Sequence, residues 1–389
     1  MKKLLLLFCI AFTLVACHND EPQIPEAANR TVLVYMIADN TLAGNVEANV
    51  DSMMSGYKAT KEAANLIVYV DEAGKTPVLF KLEKNSNGSV SKTIIKNYPE
   101  QNSVDVTVMQ GVLSDVFNNF RADSYGLILW SHGYSWVPSS STKTISTRWF
   151  GQDNATKTQY DSNNFMDITD LNEALSVAPK FDFILFDACL MSGVEVAYEL
   201  KDRAEYIIAA PTEIIDLGFP YNRIVEPMFG SKDNFKELAI RYFDYYNAMN
   251  GLYKSATIAM IKCSEMGNLA MITKNILAAH KSEFSTLPTT SIQLYDRVGA
   301  SSHFAYDFGQ LIGSVATSAE QSALQKQLDA TVVYKATTDY FIDLRIDPLH
   351  FSGLGAYIPR QEQTAYNIFF KTLSWYQAAG WDQIQWSWE

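Results

Sequence analysis

The sequence predicts an α/β/α sandwich with a mainly parallel central sheet and an appended C-terminal α/β segment. Strand-like and helix-like stretches alternate through the first part of the chain, as they do in parallel sheets covered by helices. Two short apolar stretches, 125–130 and 181–186, lack the alternation of a half-exposed strand. Short continuous apolar runs of this kind are typical of strands buried on both faces.

Each predicted element follows from its local pattern. Apolar runs predict strands at 31–37, 65–70, 78–82, 93–95, 125–130, 181–186, 206–210, 257–261, 331–334 and 355–358. The residues from Asn85 to Gly88 predict a turn between the third and fourth strands. Helical spacing predicts a helix capped by Asp39 and Asn40 that runs through Met54. Further helices are predicted at 106–120, 169–178, 192–200, 234–249, 265–280 and 320–328.

The first residues have the pattern of an export signal. Met1, Lys2 and Lys3 precede an apolar stretch that ends at Leu14-Val15-Ala16-Cys17. These four residues resemble a bacterial lipobox, which implies cleavage before Cys17 and lipid attachment to its sulfur. An ordinary secretory signal cut nearby is the alternative. We therefore predict a signal peptide at 1–16 and a tether at 17–29, in a protein exported and anchored to the bacterial cell envelope, at the outer membrane or cell surface.

The rest of the chain is predicted to divide into a main domain at 30–218 and a C-terminal α/β segment at 219–389 packed on it. The 389 residues are 48% hydrophobic and 19% charged, which is ordinary globular composition. The formal net charge of −12 argues against a nucleic-acid partner. It is compatible with polypeptide substrates that carry basic residues. The oligomeric state is left open.

The pair formed by His132 and Cys189 is the most informative feature of the chain. Each residue follows one of the two apolar strands, in Ser131-His132-Gly133 and in Asp187-Ala188-Cys189. Ligands gather at the carboxyl ends of parallel strands. A thiol and an imidazole delivered to that edge can form a nucleophile and its base. The alternative is that His132 is a structural histidine whose ring is hydrogen-bonded by the backbone, and that Cys189 is a buried core residue.

The other candidate chemistries are weaker. Cys263 follows the strand-like run 257–261 and is expected to be a small buried core residue. No pair of histidines has the spacing of a zinc helix, and no Gly-x-Ser-x-Gly elbow is present. We predict no cofactor and no metal ligand. Calcium is left open, although the sequence has no Asp-rich loop of the EF-hand type that would indicate a calcium site.

These residues together resemble the clostripain-like cysteine peptidases, which are relatives of caspases, gingipains and legumains. The resemblance rests on four motifs: Thr31-Val-Leu-Val-Tyr-Met36 with Asp39-Asn40, Leu66-Ile-Val-Tyr-Val-Asp71, Leu127-Ile-Leu-Trp-Ser-His-Gly133 and Phe186-Asp-Ala-Cys-Leu-Met191. It implies a caspase-like fold. In one place the chain departs from the family, which often follows its His-Gly with more glycine before Trp. Here Tyr134 and Ser135 precede Trp136.

The resemblance implies a cysteine endopeptidase that cuts after Arg or Lys, with Cys189 as nucleophile and His132 as general acid and base. Backbone N–H groups of Gly133 and Cys189 are the expected oxyanion donors. The helix after Cys189 is expected to lower the pKa of the thiol through its dipole.

The resemblance also implies that Asp187 binds the basic side chain. The alternative is an aspartate that holds the fold. Either Asp216 or Glu213 is expected as a second acid, with Asp216 favoured. Cleavage within the long loop 134–167, at Lys143, Arg148 or Lys157, is expected as a maturation step. A binding lipoprotein without turnover, a legumain-like peptidase and a transpeptidase are the rival functions.

Overall fold

The computed structural model describes residues 28–61, 64–138, 150–154, 164–298 and 303–386. The predicted signal peptide, Cys17 and most of the tether lie outside these residues, and so do Lys143, Arg148 and Lys157. The predictions made for them stay predictions, as does the division into domains.

The strands run close to where the apolar pattern predicts them. Their bounds are β1 Ala28–Ala38, β2 Ala64–Glu72, β3 Val78–Lys84, β4 Val90–Asn97, β5 Ala122–Trp130, β6 Phe150–Gln152, β7 Phe165–Met166, β8 Phe181–Asp187, β9 Ala204–Ala209, β10 Thr257–Lys262, β11 Tyr306–Asp307, β12 Val332–Thr337, β13 Tyr340–Phe341, β14 Leu344–Arg345 and β15 Gly355–Ala356. Nine of the described strands form one sheet in the order β12-β10-β9-β8-β5-β1-β2-β3-β4.

The centre of this sheet is parallel and its two sides are antiparallel. Strands β9, β8, β5, β1 and β2 pair in parallel, with Met36 opposite Trp130 and Trp130 opposite Asp187. Strands β3 and β4 continue one side as a hairpin, and β10 and β12 continue the other side in antiparallel pairing. Two strands from the C-terminal part of the chain therefore belong to the main sheet.

The helices cover both faces of the sheet. Their bounds are α1 Val46–Ala59, α2 Val106–Asn119, α3 Ile168–Ala174, α4 Val194–Glu199, α5 Tyr221–Met228, α6 Lys236–Asn247, α7 Met266–Ala279, α8 Lys281–Ser285, α9 Phe308–Gly313, α10 Ser318–Thr331, α11 Thr364–Phe370 and α12 Ser374–Ala378. Helices α1, α5 and α6 pack in sequence, and α2, α3, α4, α7 and α10 form a second packed series. None of the described helices is long and apolar enough to span a bilayer.

The predicted fold class is confirmed, and the differences lie in particular elements. The first helix begins at Val46 after a short 3-10 turn, with Asn45 rather than Asp39 or Asn40 at its N-cap, and it continues to Ala59. Helix α5 carries Pro227 and was not predicted, because proline disfavours a helix interior. The two-residue strands are too short for a recognisable apolar period.

The core fixes the middle strands and so fixes the site at their ends. Residues from Val32 to Ala38 and from Phe183 to Phe186 are fully buried. Burial of each large aliphatic or aromatic side chain contributes about 1.5–3 kcal/mol. Because β1, β5 and β8 are neighbours and run the same way, their carboxyl ends place the segments after 38, 130 and 187 side by side.

The segment 150–154 ties this edge together. Gly151 donates its N–H to the carbonyl of His132 at 2.9 Å. Asn154 donates its N–H to the carbonyl of Asp39 at 3.0 Å. The segment therefore fixes the backbone beside β1 and after β5 at once.

Two buried carboxylates anchor this segment to the sheet. Asp71 at the end of β2 and Asp153 both bind Ser103, which donates its hydroxyl to Asp71 and its backbone N–H to Asp153. Both side chains are almost fully buried. Burial, with the nearby Asp153 charge, raises the pKa of Asp71 to about 8. The Asp71 carboxyl is therefore largely protonated at neutral pH.

Replacing Asp71 by Asn should flatten the dependence of stability on pH. The pKa of Asp71 is higher in the folded chain than its usual value of about 3.9, so folding stability falls as pH rises from about 4 to about 8. Asn mimics the protonated carboxyl. We expect Asp71→Asn to be more stable than the wild type at pH 8 and equal to it near pH 4. Thermal unfolding measured from pH 4 to pH 8 tests this difference in stability. The exposed Asp123→Asn is the control and should follow the wild type; a steep pH dependence in Asp71→Asn would contradict the prediction.

Candidate active site

His132 extends from the end of β5 and is held from two sides. The preceding Ser131 donates its hydroxyl to the Ile37 carbonyl of β1 at 2.8 Å and accepts the Gln152 N–H at 3.2 Å. The imidazole Nε2 lies 2.8 Å from Oγ1 of Thr41 in the turn after β1. Burial lowers the pKa of His132 below its usual value, so the ring is neutral at neutral pH. A neutral imidazole is the form that accepts a proton.

Cys189 lies in the turn after β8, which is pinned to the segment after β9. Leu190 takes a left-handed backbone conformation with φ of +64°. Its N–H donates to the carbonyl of Thr212 at 2.8 Å, and the N–H of Ser192 donates to that of Ala210 at 3.1 Å. A non-glycine residue with positive φ is costly, and such strain is common where a side chain must be presented at a site. The turn therefore directs Cys189 toward the sheet edge.

The thiol of Cys189 is partly buried and bonded to Ile214. The Ile214 N–H donates to Sγ at 3.3 Å, and Sγ lies 3.9 Å from the Ile214 carbonyl oxygen. Burial raises the pKa of the thiol to about 12, outweighing the lowering by the Ile214 N–H, and the charges of Glu213 and Asp187 add to the rise. The predicted lowering of this pKa is wrong for this conformation. Helix α4 begins only at Val194 and has six residues, too short to offset the burial.

The two turns contact each other through Gly133. A Cβ at this position would lie 2.6 Å from the Cys189 carbonyl oxygen and 3.0 Å from the Cys189 nitrogen. Only glycine permits such an approach. The turn after His132 therefore packs on the backbone of Cys189, although none of the described hydrogen bonds joins the imidazole to the thiol. The two N–H groups predicted to bind an oxyanion, those of Gly133 and Cys189, belong to these contacting turns.

Asp187 ends β8 and is 5% exposed. Its Oδ2 accepts the Phe219 N–H at 3.1 Å and the Tyr221 hydroxyl at 2.8 Å. Burial raises the pKa of this carboxyl to about 6, against the lowering by these two donors. Gly218, with φ of +70°, closes the turn over the carboxylate. Asp187 thus holds the turn after β9 through one oxygen, while Oδ1 accepts no hydrogen bond from the described residues.

The two candidates for a second acid differ in their surroundings. Glu213 is half-buried, its pKa is raised to about 7 by burial, and its Oε1 lies 4.0 Å from Nη1 of Arg297. Asp216 is exposed, and its backbone carbonyl accepts from Asn45 at 3.0 Å. Burial raises the pKa of Tyr246 above its usual value, and the nearby charges of Asp187 and, to a smaller extent, Asp216 add to the rise.

The departure from the family pattern has a structural counterpart. Ser135 has φ of +60°, a conformation that favours glycine. The ring of Tyr134 is buried, with its centroid 4.3 Å from that of Phe304. Trp136 is also buried, among aromatic rings that include Tyr357. These residues therefore pack against the C-terminal part of the chain.

The sequence prediction and the structure overlap at one edge. The structure brings the turns of His132 and Cys189 together and places Asp187 and the turn with Asp216 next to them. Two contacts were not predicted, those of Thr41 with His132 and of Ile214 with Cys189, because no motif marks either residue. Within the described residues there is no group of three or more His, Cys, Asp or Glu side chains that could hold a metal ion. A thiol, a neutral imidazole and adjacent backbone N–H groups are the parts required for acyl transfer.

Comparison with known proteins gives a consistent picture. The clostripain family, peptidase family C11, matches residues 34–388. A secreted C11 cysteine protease from Bacteroides thetaiotaomicron, solved with an irreversible peptide inhibitor, is 34% identical; the match covers 92% of this chain and 100% of that chain, with a TM-score of 0.80. An inactive zymogen C11 protease from Parabacteroides distasonis is 32% identical, over 92% and 99% of the two chains, with a TM-score of 0.79.

A curated relative is more distant. Clostripain of Hathewaya histolytica is 26% identical over 223 residues, which are 50% of this chain and 41% of that protein. The match thus spans about two fifths of the length of that relative.

Proposed function

Because the chain belongs to the clostripain family of cysteine peptidases, we propose that it is an endopeptidase that cleaves polypeptides after Arg or Lys. Cys189 is the nucleophile and His132 is the general acid and base. The observation that carries the proposal is the contact of the two turns after the neighbouring strands β5 and β8, with Gly133 packed on the backbone of Cys189.

The reaction uses these groups in two stages. His132 takes the proton of the thiol as sulfur attacks the scissile carbonyl carbon, and the N–H groups of Gly133 and Cys189 bind the oxyanion. Each such donor is typically worth about 3 kcal/mol. The carbon–nitrogen bond breaks, and His132 gives its proton to the leaving amine. Water then attacks the thioester with His132 as base, the carbon–sulfur bond breaks, and the acid is released with the thiol restored.

The preference for a basic side chain is supported by Asp187 and Asp216. A buried carboxylate with one oxygen not engaged by the described donors suits a guanidinium, which binds carboxylates through paired hydrogen bonds. Asp216 is the second acid in this proposal, because Glu213 already lies near the cation of Arg297. The resemblance of the motifs around His132 and Cys189 to the clostripain family implies the same preference.

A second function is favoured by the state of the thiol. With a pKa of about 12 and a bond from Ile214, Cys189 is protonated at neutral pH and poorly nucleophilic. A chain that kept this arrangement would be a binding lipoprotein without turnover. For a peptidase, the same arrangement is a latent state in which the segment around Ile214 shifts before catalysis.

A panel of fluorogenic peptides separates the candidates. Purified chain is incubated with peptides that differ only in Arg, Lys, Asn or Ala before the reporter bond. Turnover of the Arg and Lys peptides supports the proposal, and turnover of the Asn peptide alone supports a legumain-like peptidase. Joined products with an added amine acceptor indicate a transpeptidase. No turnover of any peptide, with peptide binding retained, supports the binding lipoprotein.

Lipid attachment at Cys17 is the proposed anchor. We expect the mature wild type in the membrane fraction and Cys17→Ser in the soluble fraction, because a thioether to lipid requires the cysteine sulfur. Fractionation followed by immunoblotting measures the distribution. Cys263→Ser is a matched control that removes a different thiol and should stay with membranes. Equal membrane partition of Cys17→Ser and wild type would contradict the proposal.

A further inference from the structure

The neighbours of His132 are arranged along three consecutive strands. In the order β8-β5-β1, His132 follows the middle strand, Cys189 follows one neighbour and Thr41 follows the other. The Thr41 hydroxyl lies 2.8 Å from Nε2 of His132. The ring is therefore bonded to a residue that follows β1, whereas the thiol follows β8 on the other side of β5.

The turn that carries Thr41 is itself fixed. Asn40, 6% exposed, donates from Nδ2 to the carbonyls of Ile37 at 2.9 Å and Gln152 at 2.7 Å. Its Oδ1 accepts the Leu42 N–H at 2.8 Å. These three hydrogen bonds between the Asn40 side chain and the backbone fix the chain on both sides of Thr41. They therefore also fix the position from which the Thr41 hydroxyl reaches His132.

We infer that Thr41 is a positioning residue for the proposed peptidase reaction: its hydroxyl accepts the Nε2–H of His132 and leaves Nδ1 as the nitrogen that exchanges the proton with Cys189 and the leaving amine. This inference rests on the proposed function. The opposite tautomer, with Thr41 donating to Nε2, would put the proton on Nδ1 and leave the ring unable to act as a base toward the thiol. A third group that orients the base is a recurring part of nucleophile–base pairs.

The test compares three substitutions. Thr41→Val keeps the shape of the side chain and removes the hydroxyl, Thr41→Ser keeps the hydroxyl, and Thr107→Val changes an exposed threonine of α2. We expect kcat on an Arg peptide to fall at least tenfold in Thr41→Val with KM unchanged. Thr41→Ser should recover most of the loss, and Thr107→Val should match the wild type. Equal melting temperatures show that the folds are intact, which is expected because Thr41 is exposed.

A second measurement does not depend on turnover. Chain labelled with ¹⁵N-histidine, with His132→Ala for assignment, reports by NMR which ring nitrogen carries the proton. We expect Nε2 in the wild type and in Thr41→Ser, and a mixture in Thr41→Val. Nδ1–H in the wild type, or the same tautomer and kcat in Thr41→Val as in the wild type, would overturn the inference. If the wild type cleaves no peptide, the proposed function fails while the NMR result still decides the role of Thr41.

Discussion

Replacing Cys189 by Ala is expected to abolish peptide hydrolysis and leave the fold intact. The loss should be about 10⁴-fold or more in kcat, because removal of a nucleophile leaves only the contributions of binding and oxyanion stabilisation. The change is small for the structure: the thiol accepts one hydrogen bond, from the Ile214 N–H. Steady-state rates on an Arg peptide and the melting temperature measure the two halves of the prediction.

Cys263 supplies the matched control for that experiment. It follows β10, is 2% exposed and is the second cysteine in the described part of the chain. Burial also raises the pKa of its thiol to about 12, so pKa alone does not separate the two cysteines. Their positions separate them, because Cys189 lies at the same edge of the sheet as His132. Cys263→Ala should therefore keep wild-type turnover, and an inactive Cys263→Ala with an intact fold, or a fully active Cys189→Ala, would refute the assignment.

The sheet was predictable because its middle strands are buried on both faces. Such strands must be continuously apolar, so the runs that end before His132 and Cys189 reveal both the strands and the edge where they meet. The hairpin of β3 and β4 was visible through the turn at Gly88, which has φ of +78°. Elements such as α5 and α9 lack such a signal, because their formation depends on packing against the rest of the chain.

The chemistry of the site was less predictable than its position. The contact of Thr41 with His132 joins residues 91 apart, and that of Ile214 with Cys189 joins residues 25 apart. Spacing along the chain does not encode such contacts, since they depend on how three turns pack. The pKa of the Cys189 thiol was mispredicted for a related reason: a helix dipole can be read from sequence, whereas desolvation depends on the segment that covers the sulfur.

Replacing Asp187 by Asn is expected to flatten the preference for Arg. A carboxylate in a partly desolvated pocket gains roughly 1.5–3 kcal/mol from a charged hydrogen-bond partner. The ratio of kcat/KM on Arg over Ala peptides should therefore fall about ten- to a hundredfold, mainly through KM. The amide of the variant also offers a weaker acceptor to Phe219 and Tyr221 than the carboxylate does, so a fall in stability must be separated from the effect on specificity.

Tyr221→Phe makes that separation. It removes the hydroxyl that binds Asp187 at 2.8 Å and leaves the carboxylate in place. We expect a lower melting temperature with the Arg preference retained, whereas Asp187→Asn should lose the preference at any temperature where it is folded. Asp216→Asn, at an exposed position, should reduce the preference by a smaller factor without changing stability.

The pH dependence of the ratio of kcat/KM on Arg over Ala peptides tests the role of Asp187 independently. Burial raises the pKa of Asp187 to about 6, so the carboxylate that would bind guanidinium is present above this pH and is lost as pH falls through it. The Arg over Ala ratio should decline below about pH 6 in the wild type and stay flat in Asp187→Asn. Titrations of His132 and Cys189 affect both peptides alike and cancel in the ratio. Equal rates of the wild type on Arg, Asn and Ala peptides would end the specificity proposal and the role given to Asp187, because a carboxylate aimed at the substrate must discriminate between a cation and a neutral side chain.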